Sequence, residues 1–223
     1  MNTDDRKKLE LTVDKNPELG RRLRINVHGR LGFTELEIKQ HKSAMELLEI
    51  VVNSLEFKQR LIMQTFTSET MDTEKIYNVL MTGKEKPTPG KDYELDLKVE
   101  MYIDNSDTIG YTYGDTVQTW LNRKWFGVFT LGEIASNALH EWLHVAGFDH
   151  TTDDEYTSVP YAVGYLAEEM VSNYEKGSRY VDLYPEVVIV SPGVKIPVKP
   201  KNKKKVCKRV WSRLGLLKVC WYE

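Results

Sequence analysis

The sequence predicts an α/β domain followed by a small basic appendage, on three observations. Apolar and polar residues alternate over 95–103, the period of a half-buried strand, and more briefly over 23–27. Apolar residues recur at helical spacing after Ser43, Thr73 and Thr130. Residues 195–223 carry ten Lys or Arg and one Glu, a charge of +9, and the rest of the chain carries −11 behind a formal total of −2. An acidic body and a basic end call for separate readings.

The elements follow in order. Leu23, Ile25 and Val27 read as a strand, Gly29-Arg30-Leu31-Gly32 as a turn, and Leu36 and Ile38 as the start of a second strand. Ser43 with Glu46 is a capping-box pair, so a helix is expected from there. Met45, Leu48, Val52 and Leu55 continue it to about Phe66. A shorter helix from Thr73 carries Ile76, Val79 and Leu80 and stops at Gly83. Residues 83–91 hold two Pro and two Gly and form a loop. Leu95, Leu97, Val99, Met101 and Ile103 make the clearest strand, and 109–113 a short one with a weak point at Gly110. Thr130 and Glu133 form a second capping box, opening a helix through Ile134, Leu139 and Leu143. Another helix is expected over about 161–176.

A chain of 223 residues, 41% hydrophobic and 29% charged, is long enough to bury a core in one domain. No stretch approaches eighteen uncharged apolar residues, so no transmembrane segment is expected. No apolar segment follows Met1–Arg6, so no export signal is expected in this sequence, and the compartment stays open. Two cysteines exclude a disulfide scaffold and a four-cysteine zinc site.

The texture changes after Pro185, since four of the eight prolines lie in 185–200 and a lysine run follows. The expected organisation is a domain over 1–190, a Pro/Lys-rich linker over 191–205 and a basic appendage over 206–223. The appendage reads as a β-hairpin with Arg213-Leu214 as its loop, which puts Cys207 opposite Cys220. At non-hydrogen-bonded positions such a pair could form a disulfide in an oxidising compartment. A basic amphipathic helix through Val206, Val210, Leu214 and Leu217 is the alternative. Its charge suits an anionic membrane, a polymer or nucleic acid, although no recognisable nucleic-acid fold is present, and it suits equally a solvated tail or docking on the acidic body.

The chemistry lies in the second capped helix. His140 and His144 stand four residues apart, on one helix face, where both imidazoles can reach one Zn²⁺. Glu141 points about 100° around the helix, placed to touch a zinc-bound water without ligating the metal. Gly147 can end the helix in the left-handed conformation, and His150 follows close enough to return to the metal. Three neutral imidazoles leave a fourth position open, the arrangement of a catalytic zinc. Three His, one Glu and one Gly in this eleven-residue frame would arise by chance on the order of once in a hundred thousand such sequences. The alternative is a pair of core-facing histidines on an amphipathic helix. His28 and His41 lie outside the frame and suit solvated or core roles, and Asp149 either orients a ligand or is solvated.

The run His140-Glu141-x-x-His144-x-x-Gly147-x-x-His150 resembles the zinc signature of the metzincin clan of metalloendopeptidases, and Gly147-Phe148-Asp149-His150 is similar to its matrix-type members. The resemblance implies a mixed twisted sheet, an active-site helix and a C-terminal helix. It also implies His140, His144 and His150 as zinc ligands, Glu141 as general base and a peptide or protein as substrate. Metzincins carry a methionine turn beneath the zinc, but no Met lies between His150 and Met170. The run 161–165 is similar to the astacin-type turn with Val163 in the methionine position, and Met170 is the rival candidate. By the same likeness Tyr165 would donate to the developing oxyanion, with ordinary packing as its alternative. The extended substrate would pair with an edge strand at Gly110 and Tyr111, although Tyr111 and Tyr113 equally suit aromatic packing. No cysteine precedes residue 140, which excludes a cysteine-switch form of latency. The activity expected is zinc-dependent endoproteolysis. Its rivals are zinc binding without peptidase activity and a surface or nucleic-acid function of the basic tail.

Overall fold

The computed structural model describes residues 22–66, 72–150, 157–175, 205–212 and 215–222. The chain divides into two compact units, 1–178 and 179–223.

The first unit is mixed α/β. Strand β1 runs over Arg24–Leu31, with a register irregularity between Val27 and Gly29. That irregularity carries the strand through residues 29–31, where a turn was expected, and the chain turns at Gly32, with φ at 75°. Helix α1 then spans Glu35–Val52. Its true cap is Thr34, whose hydroxyl accepts from the Glu37 N–H while the Glu37 carboxylate accepts from the Thr34 N–H. Leu36 and Ile38 are therefore helical, not a second strand, and Ser43 lies inside the helix. The helix expected to reach Phe66 breaks at Asn53, and Ser54 caps a separate α2 over Leu55–Ile62. Helix α3, Thr73–Thr82, ends at Gly83 in the left-handed conformation, as the sequence predicts.

Strand β2 covers Glu94–Tyr102 and β3 covers Gly110–Thr112. Strand β4, Gln118–Asn122, and a single turn α4, Arg123–Phe126, were not anticipated. The buried positions of β4 include Thr119, so its apolar alternation is weak. Helix α5 spans Leu131–Ala146 behind the Thr130–Glu133 capping box, and α6 spans Val159–Glu175.

The sheet order is β1-β2-β4-β3. Strands β1 and β4 both run parallel to β2, and β3 is antiparallel on the β4 edge. With six helices among the described residues, this is a mixed α/β fold. Leu95, Leu97 and Val99 bury one face of β2, and Glu94, Asp96 and Lys98 alternate on the other. The buried face shares one core with Leu48 and Val51 of α1, Leu139 and Trp142 of α5, and Val163 and Met170 of α6. No helix among the described residues is long and apolar enough to cross a membrane.

In the second unit, β5 (Lys205–Ser212) and β6 (Gly215–Tyr222) pair antiparallel with Cys207 opposite Cys220. This is the hairpin register the sequence predicts, and the amphipathic-helix alternative is not adopted. The expected linker lies outside the described residues except for Lys205, which opens β5.

Of the histidines outside the motif, His28 is exposed and bonds Asp96 at 2.8 Å, whereas His41 is 1% exposed. The His41 Nδ1 accepts from Arg30 Nε at 3.1 Å, and its ring meets Phe33 edge-on. Burial, and then the Arg30 charge, hold its pKa down to about 3 from an ordinary 6.5. The native ring stays neutral where the unfolded chain's imidazole takes up a proton. Stability is therefore lost as pH falls from 6.5 toward 3. Urea unfolding at about pH 7 and pH 5 checks this: His41→Gln is expected to lose about 2 kcal/mol less than the parent across that interval.

Candidate metal centre

His140 and His144 project from one face of α5, and Gly147 then takes φ 107° and ends the helix. Its N–H bonds the His144 and Leu143 carbonyls. The reversal brings His150 back against the first two rings. The three Nε2 atoms lie 3.3 Å (His140–His144), 3.1 Å (His144–His150) and 3.0 Å (His140–His150) apart. These three side chains are the group among the described residues that could hold a metal ion.

The hydrogen bonds around the rings fix what those nitrogens are. His144 Nδ1 lies 2.7 Å from the Phe148 carbonyl, which can only accept. The Pro160 carbonyl is likewise bonded by His140. With Nδ1 carrying the proton, each of these two rings presents an Nε2 lone pair toward the other. Two lone pairs at 3.3 Å repel unless a cation or a shared N–H lies between them. A tetrahedral metal bound at about 2.0–2.1 Å needs ligand nitrogens about 3.3–3.4 Å apart, close to the observed triangle. Burial and the mutual proximity of the rings push the His140 pKa down to about 3, and burial lowers that of His144. These two imidazoles are thus held in the neutral form that binds metal.

Glu141 is 5% exposed and follows His140 on α5. Burial raises its pKa to about 7. Asp149 is exposed, and its charge acts on His144.

Helix α6 covers the site from the other side. The Tyr161 ring lies 4.5 Å from the His140 ring and 4.7 Å from the His150 ring. Tyr165, the sequence-predicted tyrosine, is one turn further along, 44% exposed, and stacks on Tyr161 at 5.9 Å. Val163 is fully buried, but within α6 rather than in a turn, because Pro160 suits a first helical turn and Leu166, Ala167 and Met170 continue the apolar face. Met170 is core, at 1% exposure. The close approach of α5 and α6 depends on glycine. A Cβ on Gly164 would stand 3.5 Å from His140 Cβ and 3.2 Å from Ser136 Oγ, and one on Gly132 would collide with Ser172 Oγ.

Gly110 and Tyr111 lie in β3, on the sheet edge that packs against α5. A Cβ at Gly110 would come within 2.9 Å of the Trp120 carbonyl and 3.1 Å of Asn137 Oδ1. Tyr111 stacks on Trp120 at 5.1 Å and meets Tyr102 and Tyr113 edge-on, so its ring belongs to an aromatic cluster.

Two residues that sequence reasoning missed hold α5 in place. The carboxylate of Glu85, 1% exposed, accepts from Trp142 Nε1 at 2.5 Å, from the Asp96 N–H and from Thr88. Beside it the Lys86 N–H bonds the Val145 carbonyl, an otherwise unmatched acceptor in the last turn of α5. A glutamate in a Pro- and Gly-rich loop carries no sequence signal for such a role. Tyr161 had a signal, as the residue behind Pro160 and one helical turn before Tyr165.

Replacing Trp142 by Phe leaves the buried Glu85 carboxylate short of a donor, and urea unfolding is expected to register a loss of about 2 kcal/mol. Titration of the metal-free protein with zinc is expected to saturate at one equivalent. Alanine at His140, His144 or His150 is expected to weaken binding by more than the roughly 10–100-fold of an outer-shell change. The chain matches no protein-family model, no curated protein and no solved structure.

Proposed function

We propose that the chain is a zinc-dependent endopeptidase. The observation that carries the reading is the convergence of three imidazole nitrogens, two of them from one capped helix, beside a buried glutamate of that helix. A zinc ion bound by His140, His144 and His150 would supply a Lewis acid and lower the pKa of water toward 7. Three ligands leave a position for water or a substrate carbonyl, which a purely structural site would fill with a fourth side chain.

Glu141 takes a proton from the attacking water and passes it to the leaving amine nitrogen. The edge of β3 offers backbone groups to an extended peptide, which sets the scissile bond by strand addition. A phenol on α6 donates to the oxygen that gains charge as the carbonyl carbon becomes tetrahedral. The likeness to astacin-type enzymes assigns that donation to Tyr165. The ring that packs on His140 and His150 is Tyr161, which favours Tyr161 for it.

A diverse peptide library, incubated with the zinc-loaded parent and with Glu141→Gln at equal zinc content, tests the reading. Cleavage by the parent alone is expected. If neither cleaves while both hold one zinc, the chain is a metal-binding protein and the peptidase reading fails. Among tyrosine variants, Tyr161→Phe is expected to lower kcat by about tenfold or more with little change in KM. Tyr165→Phe is expected to leave both nearly unchanged, and the reverse pattern would return the role to Tyr165.

A further inference from the structure

The hairpin of the second unit holds both cysteines of the chain. Its strands are joined by two residues, 213 and 214, and Ser212 pairs with Gly215 at the loop end. In a two-residue hairpin the pair that closes the loop is hydrogen-bonded, and the pairs alternate from there. Counting back along the ladder makes Cys207↔Cys220 a non-hydrogen-bonded pair. Such pairs bring opposed Cα atoms to about 4.5 Å, within the roughly 4.4–6.8 Å that a disulfide spans. A shift of one residue in either strand would put the cysteines on opposite faces. A two-stranded ribbon is marginal in water by itself, so this is where a covalent tie would have the most effect.

We propose that Cys207 and Cys220 form an intramolecular disulfide that closes the ribbon, with a small-molecule or protein disulfide as the oxidant. The inference is independent of the peptidase reading. One cysteine thiolate attacks the oxidant's S–S bond, forming a mixed disulfide and releasing one thiolate. The second cysteine attacks the cysteine sulfur of that mixed disulfide and releases the other. Two protein thiols are oxidised, one oxidant disulfide is reduced to two thiols, and the two protons pass to them. The basic ribbon is then at its most stable in an oxidising compartment and loosened in a reducing one.

The full-length chain, equilibrated with oxidised and reduced glutathione and then alkylated, provides the test. Intact mass and peptide mapping are expected to show a monomer short of two hydrogens, with a Cys207–Cys220 cross-link and no retained glutathione. The decisive comparison is a Val206→Cys, Cys207→Ser double variant, which keeps the spacing along the chain nearly unchanged and moves one thiol to the other face. The native pair is expected to close at glutathione ratios about tenfold more reducing than the shifted pair, and the difference is expected to vanish in concentrated urea. Equal closure of the two pairs in native buffer would overturn the proposal. So would persistent glutathione adducts on the parent, or cross-linking between chains.

Discussion

The first unit is organised around three imidazole nitrogens that face one another. Two histidine side chains with their Nδ1 protons committed to backbone carbonyls direct Nε2 lone pairs toward each other, and a third imidazole closes the triangle at 3.0 and 3.1 Å. Facing lone pairs at such distances repel, and the repulsion turns to attraction around a cation or a shared N–H. A fold that keeps these groups together must fix each ring from behind, and this one does. The Phe148 and Pro160 carbonyls orient two of the rings, and Tyr161 packs against His140 and His150.

Helix α5 can carry that constraint because it is held from several sides. Its first turn is closed by the Thr130–Glu133 reciprocal bonds. Its buried side anchors Trp142 on the Glu85 carboxylate, which also accepts from the Asp96 N–H in β2. Its last turn lends the Val145 carbonyl to Lys86 and ends in a left-handed glycine that only a residue without Cβ adopts cheaply. Glycines at 132 and 164 let α6 lie against it closely enough for Tyr161 to touch the His140 ring. The candidate chemistry therefore rests on contacts from the 83–86 strap, the sheet and α6.

What was legible in the sequence follows the range of each signal. The histidine cluster is local, eleven residues on a helix and its stop, and spacing alone locates it. Helix starts were legible only in part. Thr34-x-x-Glu37, Ser43-x-x-Glu46 and Thr130-x-x-Glu133 share one pattern, and among these the first and last close reciprocal bonds, while Ser43 is interior to α1. The tyrosine that packs on the histidine rings is Tyr161, one helical turn before Tyr165, because an offset counted along the chain does not say which turn of α6 faces α5. Glu85 was illegible, since the partners that tie it to the sheet and to α5 are 11 and 57 residues away. The hairpin register was legible because one short loop sets it.

On the proposed reading three histidines and no fourth protein side chain hold the metal, which leaves a position for chemistry. X-ray absorption at the zinc edge of the stoichiometrically loaded protein tests it most directly. Three imidazole ligands are expected, the rest of the shell being a light atom from solvent, with an exogenous anion able to replace it. A closed shell of four protein ligands, sulfur in the shell, or failure to retain one zinc per chain would contradict it.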